Sequence, residues 1–199
     1  MEITNYYDRF QHQFECVDPE LISEIQKSFL VPRITKTDLE PFREKFGHEL
    51  PDDIKDHINL YWHPYIYGAY DCYKQKEDSD GYYKFDEGLV LFSVMKHKGK
   101  TDDDVLFQKY GVYDLTAELY DDLAERAEEA PISPDIVNEV KKYICIGWTE
   151  YAAHRVLYKI ATGEIYLESW REDRVADDKP IAGSLSELIN KIYFLNPGR

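Results

Sequence analysis

Apolar residues recur at helical spacing through the first third of the chain and at strand spacing through the last third. Tyr7, Phe10 and Phe14 follow Thr4, a capping residue. Leu21, Ile22, Ile25 and Phe29 form a second stripe behind Asp18-Pro19-Glu20. That triplet sets a cap, a first-turn proline and an acid facing the helix dipole in order, and Val31-Pro32 closes the helix. Thr37-Asp38-Leu39-Glu40 has the capping-box pattern. Its helix carries Leu39, Phe42 and Phe46 on one side and ends at Gly47, a residue suited to the left-handed cap. Leu50-Pro51-Asp52-Asp53 restarts a helix in which Ile54, Ile58 and Tyr61 continue the spacing.

From Tyr61 to Tyr70 the chain is aromatic and suited to a strand, with Pro64 restricting it to an edge or a bulge. Lys74–Asp86 is polar and reads as an exposed loop with Asp80-Gly81 at its turn. Gly88–Met95 is an unbroken apolar run of strand length, the signature of a buried central strand. Asp114 is expected to cap a helix whose Leu115, Leu119 and Leu123 share one face. Ser133-Pro134-Asp135 caps a short helix through Val140. Tyr143–Trp148, Arg155–Ile160 and Glu164–Trp170 then read as strands, the last two joined by a hairpin turn at Ala161-Thr162-Gly163-Glu164. Ser184-Leu185-Ser186-Glu187 opens a terminal helix whose Leu185, Leu188, Ile189 and Ile192 face a sheet. Helices, a mostly antiparallel sheet and a covering helix make an α+β domain. The expected division is a helical N-terminal extension over residues 1–36 and an α+β domain over 37–199.

The charge balance narrows the partners. Lys and Arg total 24 against 39 Asp and Glu, a net charge of −15, the wrong sign for gripping nucleic-acid phosphates. No run approaches the roughly 18 apolar residues of a membrane span, and Met1–Phe10 lacks a basic-then-apolar signal pattern, so a cytoplasmic protein is expected. Cys16, Cys72 and Cys145 form no C-x-x-C and no closed disulfide set, which fits buried thiols in a reducing compartment.

Catalytic signatures are missing. There is no G-x-S-x-G, H-E-x-x-H, Walker loop or dinucleotide glycine pattern. Asp53 and His57 lie four apart on a helix, but a metal needs further convergent ligands, and an ordinary surface pair is the simpler reading. Glu168 and Glu172, beside Trp148 and Trp170, leave a carboxylate-based hydrolase as an alternative whose geometry the sequence does not give. No cofactor is expected.

Order and punctuation together resemble the SUKH superfamily, which groups fungal cell-wall-synthesis regulators, the SecY-interacting protein Syd and many bacterial toxin-immunity proteins. The resemblance rests on Phe46-Gly47-His48-Glu49-Leu50-Pro51-Asp52-Asp53-Ile54 and the aromatic strand after it. The hairpin Thr162-Gly163-Glu164-Ile165-Tyr166 and the ending Ile181-Ala182-Gly183-Ser184-Leu185-Ser186-Glu187-Leu188-Ile189 complete it. It spans roughly Leu39 to Tyr193. Trp62-His63-Pro64 departs from the family's glycine-rich turn, and the helical preface is closer to the Syd branch. The resemblance implies a SUKH-like sheet flanked by helices and action by binding.

Candidate contacts follow from charge and aromatic content. Asp102, Asp103 and Asp104, then Asp121, Asp122, Glu125, Glu128 and Glu129, form an acidic run that is either a solvated helix face or a docking surface for a basic protein. Tyr65, Tyr67, Tyr70, Tyr82 and Tyr83 would supply anchoring area around the expected loop, or else pack within the sheet. The leading expectation is a bacterial immunity protein, monomeric or weakly dimeric, that occludes a basic toxin, possibly a nuclease. A Syd-like protein docking the basic cytoplasmic loops of the SecY channel is the alternative.

Overall fold

A computed structural model of the chain describes residues 39–60, 66–75, 82–92, 111–129, 133–149, 153–169 and 174–192. In chain order these form α1 (Glu40–Phe46), α2 (Asp52–Leu60), β1 (Ile66–Gln75), β2 (Tyr82–Leu91), α3 (Val112–Glu129), α4 (Pro134–Val140), β3 (Tyr143–Thr149), β4 (Arg155–Lys159), β5 (Ile165–Leu167) and α5 (Leu185–Lys191). The expected N-terminal extension lies outside the described residues, as does the strand expected at Tyr61–Tyr65.

The strands pair in sequence order, β1-β2-β3-β4-β5, and every pairing is antiparallel. The architecture is α+β. Two expected boundaries move. The segment read as a long exposed loop is mostly strand, because β1 continues to Gln75 and β2 begins at Tyr82, with Gln75 opposite Tyr82. Polar content hid the pattern: Tyr83 and Phe85 alternate with Lys84 and Asp86, and period-2 alternation is the strand signal even where charge is high.

Burial explains the centre of the sheet. From Tyr143 through Ile146 in β3 and from Val156 through Tyr158 in β4, successive residues are buried although their side chains alternate between faces. Both faces must therefore be covered. Arg155 and Tyr158 have opposite parity on β4; the first meets Asp122 of α3 and the second meets Asp53 of α2. Helices α2 and α3 accordingly sit on opposite sides. Next to α3 lies α1, whose Phe46 ring stands 5.4 Å from Tyr113 and 5.3 Å from Tyr120 in edge-on arrangements.

Several helix ends stand where the sequence puts them, but α3 begins at Val112, so Asp114 lies in its first turn and is not its cap. Gly47 takes φ 76° and returns its N–H to the Arg43 carbonyl. The Ser133 hydroxyl accepts from the Asp135 N–H, and the Ser184 hydroxyl accepts from the Glu187 N–H at 3.1 Å. Glu187 in turn accepts from the N–H of Gly183, the residue before the cap, at 2.8 Å. At the start of α1 the flanking residue is Leu39, with no side-chain cap; Thr37 and Asp38 lie outside the described residues.

The sheet is curled. After β5 the chain doubles back, and the bridges Glu168 with Ala176 and Ile165 with Ala182 lay residues 176–182 along the β5 edge as a strap. The Tyr70 hydroxyl of β1 donates to the Ile181 carbonyl on that strap at 2.5 Å. Strand β1 and the strap beside β5 thus meet through one tyrosine. A bulge between Cys145 and Gly147 adds local twist to β3.

Candidate protein-docking surface

Helix α3 is two-sided because its sequence is. Val112, Leu115, Thr116, Leu119 and Leu123 recur at helical spacing and are buried against the sheet, while Glu118, Asp121 and Glu125 project to solvent. The Thr116 hydroxyl donates to the Cys145 carbonyl at 3.5 Å and the Tyr120 hydroxyl to the Tyr143 carbonyl at 3.3 Å, fixing the helix rotation over β3. Burial pushes the Tyr120 phenol up to about 12, so it stays a neutral donor at any physiological pH. The outward carboxylates are consequently held on one face by the packing of the other.

The acids of this run do not share one role. Asp121 is 67% exposed and stands 3.9 Å from the Lys45 ammonium. Glu125 is exposed beside it. Asp122 is different. It borders the apolar stripe, three residues after Leu119, and its carboxylate accepts from Arg155 Nη2 at 2.7 Å. Arg155 Nη1 donates to Glu168 Oε1 at 3.0 Å, and the Arg155 backbone N–H donates to Glu168 Oε2 at 3.3 Å. Arg155 is 19% exposed and Glu168 15%, so this clasp is partly withdrawn from water. The guanidinium is held charged by Glu168 and Asp122 against the opposing cost of burial. Asp122 therefore ties α3 to the β4–β5 hairpin, a structural role in addition to the docking one expected of it.

For Tyr70 the docking expectation is corrected. It is 2% exposed, with its ring in the core and its hydroxyl bound to Ile181, and so cannot anchor a partner. A β1 position opposite Glu87, where the curled sheet meets the strap, turned this ring inward. Tyr67 lies in β1, Tyr82 and Tyr83 open β2, and Glu128 and Glu129 end α3. Tyr65, Asp102, Asp103 and Asp104 lie outside the described residues.

The groups weighed for chemistry are occupied by architecture. His57 is buried, because it shares a face of α2 with Ile54 and Ile58, and its ring stands 5.4 Å from Phe92. It is not the surface residue that the Asp53–His57 spacing suggests. Asp53 accepts from the Tyr158 hydroxyl at 2.7 Å and from the Ile54 N–H at 3.0 Å. Burial and that carboxylate together push the Tyr158 phenol up. Burial also pushes the Cys145 thiol up to about 12, the opposite of nucleophile activation. Glu168 holds Arg155, while Glu172 and Trp170 lie outside the described residues. Around the β4–β5 turn, Glu164 accepts from Thr162 at 2.8 Å and Tyr166 at 2.9 Å, and these bonds hold its carboxyl below the usual range. No group of three or more His, Cys, Asp or Glu arranged to hold a metal occurs among the described residues.

Half of the clasp is written locally. The turn at residues 161–164 sets a register in which Val156 faces Leu167, so Arg155 and Glu168 fall opposite each other as a charge-complementary cross-strand pair. Nothing local marks Asp122 as the third member, since its approach depends on how α3 docks.

Compared with known proteins, the chain matches no family model, and none of the curated proteins is significantly similar to it. No helix among the described residues is long and apolar enough to cross a membrane.

Proposed function

We propose that this chain acts by binding, without turnover, and presents the outward face of α3 to a basic protein partner. The observation that carries this reading is the projection of Glu118, Asp121 and Glu125 from one face of a helix whose other face is fixed in the core. A protein of net charge −15 attracts cationic partners over distances longer than a contact and repels anionic competitors. Its resemblance to the SUKH superfamily supports a finer assignment: a bacterial, cytoplasmic immunity protein that covers the active face of a basic toxin. Were that toxin a nuclease, the carboxylates of α3 would stand where substrate phosphates bind, and inhibition would be steric and electrostatic.

The test is association with any basic protein domain that the neighbouring genes encode, followed by stopped flow or surface plasmon resonance at rising salt. Glu118→Gln/Asp121→Asn/Glu125→Gln should slow association about tenfold at low salt and flatten its salt dependence. Thermal stability should be preserved. An unchanged association rate in that triple variant refutes the assignment of this face. Binding to SecY-containing vesicles in place of the toxin domain would move the protein to the Syd-like reading.

A further inference from the structure

We draw no further inference here: the strongest candidate, the outer edge of strand β1 (Ile66–Gln75) at the open end of the curled sheet, carries nothing because no feature of the structure shows what covers it.

Discussion

Removing the Arg155 guanidinium separates the acids that hold the fold from those proposed to meet a partner. Arg155→Leu keeps an apolar stem but withdraws the cation from Glu168, 15% exposed, and from Asp122, 43% exposed. Breaking a fully buried pair costs about 3–5 kcal/mol; here each group keeps some contact with water, which lowers the expectation to about 2–3 kcal/mol. Asp122→Asn removes only the more exposed arm and should cost about 0.5–1 kcal/mol. For a domain of this size that difference is readable: with an m-value of roughly 2–3 kcal/mol/M in urea, Arg155→Leu lowers the midpoint by about 1 M, and Asp122→Asn by about a third of that. Replacing both partners, Arg155→Leu with Glu168→Leu, should recover much of the loss, because the penalty lies in the carboxylate left behind. The assay is urea unfolding followed by tryptophan fluorescence, with the double-mutant cycle giving the coupling directly. If neither Arg155→Leu nor Asp122→Asn moves the midpoint, the clasp contributes nothing to stability and the assignment of Asp122 to the fold is wrong.

Other consequences are equally specific. At Gly147 a β-carbon would stand 2.2 Å from the Val90 carbonyl oxygen and 2.9 Å from the Leu91 Cα, so Gly147→Ala should cost roughly 3 kcal/mol or more in urea unfolding. Gly47→Ala, where only the positive φ opposes a side chain, should cost about 1 kcal/mol, and equal losses at the two sites would refute the close approach. Ser184→Ala should cost about 1 kcal/mol through its lost cap. Its partner Glu187 has its carboxyl held below the ordinary 4.5 by Lys191 and the Gly183 N–H, so that arm stabilises above about pH 4.5 and fades as pH falls through the lowered value. The gap between wild type and Glu187→Gln in thermal scans should therefore narrow on acidification, and a constant gap from pH 7 to pH 3 would contradict the ionic contribution. In a Cys16→Ser/Cys72→Ser background, Cys145 should resist alkylation in the native state and react on unfolding; rapid labelling of folded protein would contradict its burial.

Local chemistry made much of this fold legible. The caps at Ser133 and Ser184, the stop at Gly47, the hairpin near Gly163 and the leucine stripe of α3 all rest on interactions within a few residues, and each stands where its residues imply. Long-range features were not legible. Period-2 alternation in residues 82–87 was masked by charge. The inward turn of Tyr70 depends on the Ile181 strap, more than a hundred positions away. His57 reads as a surface group until Ile54 and Ile58 are seen to share its buried face. The acidic run shows the same division: helical phase distinguishes Glu118 and Asp121 from Leu119 without any tertiary knowledge, whereas the capture of Asp122 by Arg155 needed the sheet.

The arrangement of charge on α3 bears on why the face exists. Thirty-nine acids against 24 cations leave 15 carboxylates that no Lys or Arg in the chain can match one for one. Solubility requires only that such a surplus be exposed, and spreading it would minimise repulsion. On α3 it is concentrated instead: Glu118 with Asp122, and Asp121 with Glu125, are like-charge pairs four residues apart, each costing a few tenths of a kcal/mol. Arg155 offsets the first pair by drawing Asp122 toward the hairpin, while the second faces solvent with Lys45 3.9 Å from Asp121. A repulsion retained in the free protein would, under the docking proposal, be relieved when a cationic surface arrives, so the same residues that slightly destabilise the isolated helix would favour the complex. Under the docking proposal, Asp121→Asn should thus leave the free protein no less stable while weakening its association, a pairing of effects that a face serving only solubility would not produce.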